Sequence, residues 1–470
     1  MNATLRAVLD AVIAGDPRGA VEVADSASDA ALAAAGEGET LQLARAARGL
    51  AGAGAGEPAA ASGDAPDHLA DGWAALRTAP ASPFTRYLFA EAALASGRLD
   101  LAASFARSVV PLDHPYEVVA TLMRARLMVF RGRVAAAAEV LADCPAGPTP
   151  LLDLLVDATR ILVRGNAAER SAVRALADRL ERTLPEPADY LSAGCYLLAA
   201  FGLVAVGDVS RSARLALEAG GDAALARLAT VDRALTYELL VAGAVLEADH
   251  DAADAWWTRA EPLLQSPIAR PAVQRIGSRI ALLRGDPGEA VRWADLATAA
   301  ARADGRVVEA AEGEIVAARA RIASSATAEA GARLEALVET ADGTGHLAAR
   351  RAAARELRAA GRRLRPTPGS EWAGLSTRER DVALMVAAGL ANRDIAAELH
   401  LSEHTVRAHV ARVLAAFGAA SRFAVAARVA ELRRSRANRS LPSRRARRPS
   451  PPASRAARGT PRSAANWASA

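Results

Sequence analysis

Between residues 376 and 432 the apolar positions recur at spacings of three and four, the period of a helix buried on one side, and each run stops at a breaker. Ser376 followed by Glu379 is a Ser-x-x-Glu capping box, which opens a helix with Val382, Met385 and Val386 as its buried stripe and Gly389 as its end. Asn392 is a good N-cap for a second helix through Ile395, Ala396 and Leu399. After His400-Leu401-Ser402, Ser402 caps a third helix, with Glu403 at the positive end of its dipole. Val406, Val410, Val413, Leu414 and Phe417 then form one apolar face. Gly418 stops that helix, and a fourth is expected from about Ser421 to Leu432. Two short helices joined by three residues, with small Ala396 at the crossing and Leu401 in the corner, predict a helix-turn-helix.

A different pattern fills the preceding 365 residues. "GDPRGAVEVAD" at 15–25 returns as "GDPGEAVRWAD" at 285–295, and in both a glycine is followed five residues later by alanine. The same step joins Gly97 to Ala102 and Gly132 to Ala137, with weaker versions near Gly165, Gly207, Asp249 and Ser325. Apolar stretches such as "YLFAEAALAS" and "VVATLMRARLMVFR" precede the breakers, and Ala-rich ones follow. This describes helical hairpins: glycine takes the left-handed cap, and the small residue lets the second helix pack closely on the first. One hairpin cannot bury its apolar face alone, so hairpins stack. Residues 1–365 thus resemble the tetratricopeptide repeat family, which implies a superhelix. They depart from its pattern in variable repeat length, missing aromatics in the first helices, and Arg170 at the small position after Gly165. An irregular helical bundle is the plainer alternative.

Composition agrees with an all-α chain: Ala and Leu are abundant, and aromatics are only 4% of 470 residues, more than one domain's worth. The chain has no lysine, which removes the phosphate-binding Lys of a Walker A loop and leaves the Gly-rich 49–64 stretch as a plain loop. Cys144 and Cys195 lack metal-ligand spacing and read as small buried apolar residues. The seven histidines are scattered, with no nucleophile–base set, so no enzyme, metal site or cofactor is expected. The N-terminus lacks a basic signal region, and no apolar run is long enough to cross a membrane, so the cytoplasm is the expected compartment. "PTPGS" at 366–370 reads as a linker. Charge is uneven: residues 371–432 balance seven arginines against seven carboxylates, and eleven arginines follow Glu431 with no acidic residue. The first 370 residues therefore carry a net charge of −6, and the basic end points to a polyanion. Residues 435–470, rich in Arg, Ser, Pro and Ala, are expected to be a disordered tail, which as a plainer alternative only aids solubility.

Residues 371–434 resemble the LuxR/GerE-type helix-turn-helix domain of bacterial transcription regulators. The resemblance rests on Leu375-Ser376, Arg378-Glu379, Gly389-x-x-Asn392, Ile395-Ala396, Ser402-x-x-Thr405-Val406-Arg407-x-His409, Leu414, Gly418 and Arg422. A helix-turn-helix lays its second helix into the major groove of double-stranded DNA. The face opposite the valine stripe carries His404, Thr405, Arg407, Ala408, Ala411 and Arg412. The resemblance implies a four-helix domain that binds a pseudo-palindromic operator as a homodimer, with the fourth helix at the dimer contact. It also implies base-facing roles for Arg407, Ala408 and Ala411, and backbone contacts for Asn392, Thr405 and Arg412. His400 and His409 read as structural or phosphate-facing rather than catalytic. Alanine at 411, 415 and 416, where the family often has basic residues, removes phosphate contacts.

Repeats followed by such a domain resemble the C-terminal part of the large ATP-dependent LuxR regulators, without the ATPase. The expected protein is a DNA-binding transcriptional regulator whose repeat domain receives a protein or small-molecule effector, with RNA polymerase as a further candidate partner. The alternative is a scaffold or adaptor with a vestigial DNA-binding domain.

Overall fold

In a computed structural model of the chain, the structure describes residues 69–72, 74, 83–107, 117–147, 149–362, 372 and 375–440. The chain divides into two compact units, 1–364 and 365–470. Among the described residues every regular element is a helix, so the fold is all-α. The repeat at 15–25, the Gly-rich stretch and the linker at 366–370 lie outside the described residues.

The first unit is a succession of packed helix pairs: α1 (Pro83–Ala95) with α2 (Leu99–Phe105), α3 (Glu117–Phe130) with α4 (Val134–Ala142), and α5 (Pro150–Asn166) with α6 (Arg170–Thr183). α7 (Tyr190–Ala205) pairs with α8 (Val209–Gly220), α9 (Thr230–Leu246) with α10 (His250–Ala260), α11 (Arg270–Leu283) with α12 (Pro287–Ala303), and α13 (Val307–Ala323) with α14 (Thr327–Thr344). α15 (Leu347–Ala359) closes the series. First helices also stack on one another, α1 on α3, α3 on α5, α5 on α7, α9 on α11, α11 on α13 and α13 on α15, while α8 bridges to α9.

Each pair turns on one left-handed residue. Gly97, Gly132, Gly207, Gly285 and Ser325 take this role at the expected positions. Elsewhere the register differs from the sequence reading: Ala248 turns instead of Asp249, and Ala168 instead of Gly165. Asp249 caps α10, accepting from the Ala252 N–H. With the turn at Ala168, the position five residues later is Val173, which is fully buried, and the misfit at Arg170 disappears. The same position is buried at Ala102, Ala137, Ser212, Ala253, Ala290 and Ala330, because there the second helix presses on the first.

Gly165 has another use. It lies within α5 against Gly202 of α7, and a Cβ added there would come 2.6 Å from the Gly202 Cα. A Cβ on Gly202 would meet the Ile161 carbonyl oxygen at 2.4 Å. Gly202→Val should therefore force α5 and α7 apart and cost about 1–3 kcal/mol through overpacking. A lower urea midpoint checks this; an unchanged midpoint would mean that the two helices are not in close contact.

The series curls until distant pairs meet. α1 packs on α9, α3 on α13 and α5 on α15. At these seams a Cβ on Gly97 would touch Ile268, a Cβ on Gly132 would touch Val307, and Arg351 donates to the Ala168 carbonyl 183 residues away. The first helices thereby surround a cavity of about 720 Å³. Cys144 and Cys195 are both free and buried.

The second unit comprises α16 (Thr377–Ala387), α17 (Asn392–Leu399), α18 (Glu403–Ala416) and α19 (Arg422–Ser440). Its core joins Leu375, Val382, Val386, Ile395, Leu399, Val406, Val413, Phe417, Val425 and Val429. Trp372 closes one end, edge-on to Phe417 with ring centres 5.5 Å apart. α19 runs eight residues beyond the expected Leu432, so 435–440 is helical rather than disordered. The reason is local: Arg and Ala favour helix, and Pro442 is the first proline after Arg422. The remainder of the basic tail lies outside the described residues.

Candidate nucleic-acid interface

The second unit presents α18 through three local devices. The first is the capping box at α16. The Ser376 N–H donates to Glu379 Oε2 at 2.9 Å, and the Glu379 N–H donates to Ser376 Oγ at 3.3 Å. The second is the turn. His400 takes the left-handed conformation, φ +52°, and the Leu401 N–H returns to the Ala396 carbonyl at 2.9 Å, so the chain reverses in three residues. The third is Ser402, whose hydroxyl accepts from the Thr405 N–H at 3.1 Å and pairs with the Thr405 hydroxyl at 2.8 Å. Leu401 itself is half-buried against the core rather than enclosed by it.

The cap of α17 differs from the sequence reading. Ala391 is the N-cap and Asn392 the first helical residue, half-buried, with its buried Oδ1 lacking a hydrogen-bond partner. Helix entry is set by the extended backbone of Ala391, so no side chain satisfies the first N–H groups of α17. Arg393, 85% exposed at its side chain, stands beside them.

On α18, His404, Arg407, Ala408 and Ala411 are exposed, and Thr405 is half-buried under its bond to Ser402. Among the described residues Arg407 has no ion pair or hydrogen bond, so its guanidinium is uncommitted. Arg412, expected on the same face, points elsewhere, and His409 takes the structural one of its two expected places. Arg412 donates to Glu379 Oε1 at 3.1 Å, and His409 Nδ1 lies 3.8 Å from the same oxygen. The periodicity carried this signal: His409 falls three residues after Val406 and four before Val413, and Arg412 adjoins Val413, so both flank the buried stripe.

Glu379 is thus the hub of the unit, and the sequence reading gave it only the capping role. Burial alone would raise its carboxyl pKa. The Ser376 N–H and hydroxyl and the Arg412 guanidinium outweigh burial and hold it below the ordinary value. Two further arginines tie helix ends: Arg378 donates to the Leu399 carbonyl at the end of α17, and Arg422 donates to the Leu390 carbonyl before it. Both satisfy carbonyls that a helix end or loop would otherwise leave open. Phe423 is 80% exposed on α19, unusual for a side chain of its size.

Among the described residues no group of three or more His, Cys, Asp or Glu is placed to hold a metal, and no helix is long and apolar enough to cross a membrane. What the arrangement offers is a capped helix with one uncommitted arginine and small neighbours, held from behind by the half-buried Arg412–Glu379 ion pair.

Comparison with known proteins meets this geometry at the same residues. Residues 373–430 match the family described as bacterial regulatory proteins, luxR family. A protein of Mycobacterium bovis provisionally named HTH-type transcriptional regulator Mb0914c is 46% identical over 65 residues. Its counterpart MT0914 in a Mycobacterium tuberculosis strain is also 46% identical, and Rv0890c of a second strain is 45% identical. Each match covers 14% of this chain and only 7% of the relative. The C-terminal unit of this chain is a helix-turn-helix domain of the luxR family of bacterial regulatory proteins.

Proposed function

We propose that the protein is a cytoplasmic regulator of transcription in which α18 reads an operator in the major groove while the helical repeat unit controls the domain. The observation that carries this is Arg407, an exposed and uncommitted guanidinium on the presented face of a luxR-family helix. Arg407 reads a guanine edge, where a bidentate contact contributes about 1–3 kcal/mol of discrimination. Ala408 and Ala411 let the helix approach the bases, with Ala411 also within reach of thymine methyl groups. His404 and Thr405 contact the backbone near the start of α18. Asn392 and Arg393 hold a phosphate at the uncapped start of α17, a natural anion site. Arg412 and His409 act indirectly, by fixing α18 to Glu379.

Two domains pair through α19, where exposed Phe423 supplies an apolar contact, and together they bind a pseudo-palindromic site. The helical hairpins form a tetratricopeptide-like superhelix that receives an effector, and RNA polymerase is the downstream partner.

A scaffold with a vestigial DNA-binding domain is the second reading. It is favoured by the engagement of Arg412 with Glu379 and by alanine at 411, 415 and 416, which leaves α18 with few free cations. Gel-shift titration of the full chain against genomic fragments separates the two. Retention of particular fragments over the rest supports the regulator, and equal retention of all, or of none, supports the scaffold.

A further inference from the structure

The cavity of the first unit is lined by the first helices of its pairs, and its wall is divided in character. α7 and α9 supply a polar group near their starts, Tyr190 and Asp232, followed by apolar residues such as Leu197, Phe201, Leu235 and Leu239. Asp232, Leu235 and Leu239 stand at i, i+3 and i+7, so the carboxyl group and the apolar strip share one face of α9.

Six of the seven arginines of the wall are already engaged. Arg126 pairs with Glu91. Arg275 donates to Glu238 at 2.6 Å and to Glu309 at 3.2 Å, Arg279 to Glu238 at 3.0 Å, and Arg306 to Glu309 at 2.8 Å. Arg319 is taken by Glu356, Arg227 donates to the Pro187 carbonyl, and Arg355 is exposed. Two carboxyl groups remain. Among the described residues Asp232 and Glu312 are half-buried and have neither ion pair nor hydrogen bond. An unpaired carboxylate that has lost water is costly, and a cation beside it removes the cost. Burial, reinforced by Glu91 and Glu309 and opposed by Arg126, pushes Asp232 up to about 7. The wall as a whole carries seven arginines and five carboxyl groups, so the missing element is local, a positive charge beside Asp232.

We propose that this cavity binds a cationic amphiphile, with an ammonium group at Asp232 and an apolar body along the leucine-lined wall of α7 and α9. A volume of about 720 Å³ suits a small molecule of this kind. The proposal names the chemical class of the effector and rests on the reading of the repeat unit as the sensing part of the regulator.

Calorimetric titration of the full chain with decylammonium, decanoate and decanol, each below its aggregation limit, tests it. The apolar chain is held nearly constant and only the head group changes. The expected result is saturable binding of decylammonium, with the other two at least about tenfold weaker, since a charge-assisted contact contributes on that scale. Asp232→Asn should weaken decylammonium binding by about tenfold or more, and Arg407→Ala should leave it unchanged. Asp232 makes no bond whose loss would unfold the chain, and the three-ligand comparison on the unaltered protein stands without the variant. No saturable binding, equal binding of decanoate or decanol, or undiminished binding by a folded Asp232→Asn chain would overturn the proposal. A chain that binds decylammonium through Asp232 but retains no DNA fragment would support the ligand assignment and remove the regulatory reading alone.

Discussion

Glu379→Ala is expected to destabilise the C-terminal unit by about 2–4 kcal/mol, from the lost helix cap and the lost charge-assisted bond to a half-buried arginine. The side chain is 10% exposed and serves three groups at once: the Ser376 cap, Arg412 and the neighbourhood of His409. Its removal leaves the N–H of Ser376 unsatisfied and Arg412 half-buried without a counterion. Hydrogen exchange on the full chain measures the effect, because amides in 377–416 should lose protection while those in 150–360 keep theirs. The same carboxylate predicts a pH dependence. Its folded pKa is depressed, so its stabilisation is present above the unfolded value of about 4.3 and is lost as pH falls through the folded value. Acid should therefore loosen 377–416 in the native chain, and Glu379→Gln should remove that acid sensitivity. Unchanged protection in Glu379→Ala would mean that the cap and the ion pair contribute nothing to holding α18.

Arg275→Ala is the second large effect, about 3–5 kcal/mol. Arg275 is 1% exposed and bridges Glu238 and Glu309, which belong to different helix pairs. Without it Glu238 keeps only Arg279 and Glu309 only Arg306, and both carboxylates stay in the cavity wall. The triple variant Arg275→Met, Glu238→Leu, Arg279→Leu should recover much of the loss, because no charge of this cluster is then stranded and Glu309 keeps Arg306. Urea titration followed by far-ultraviolet circular dichroism compares the two. A loss under about 1 kcal/mol in Arg275→Ala would contradict the burial of this network.

Local chemistry made much of this legible in the sequence. Ser376 with Glu379, the Ser402 cap, Gly389 and Gly418 act within one helical turn, and their roles follow from neighbouring residues. The hairpin turns at Gly97, Gly132, Gly207 and Gly285 were readable for the same reason, because glycine marks the left-handed residue. Ala168 was not readable, since alanine carries no such mark and Gly165, three residues earlier, is small in order to meet Gly202. Asn392 was misplaced by one residue because a favourable capping type stood next to the backbone that performs the capping. Arg412 was assigned to the open face by its charge, although its position beside Val413 placed it toward α16. The cavity was beyond sequence reasoning altogether. Its walls come from helices that meet only when the series of pairs has curled, as the bond from Arg351 to Ala168 records.

The central claim, that α18 reads bases through Arg407, is tested most directly by titrating a selected operator and random DNA at several salt concentrations. Phosphate contacts supply affinity that is salt-sensitive and blind to sequence, whereas base-edge contacts supply selectivity. Deleting 441–470, with its seven arginines, should weaken both DNAs equally and flatten the salt slope by roughly 0.9 per lost phosphate contact. Arg407→Ala should lower the operator-to-random ratio by about 1–3 kcal/mol, with its own slope nearly unchanged. An Arg407→Ala chain that keeps the full ratio would contradict the account.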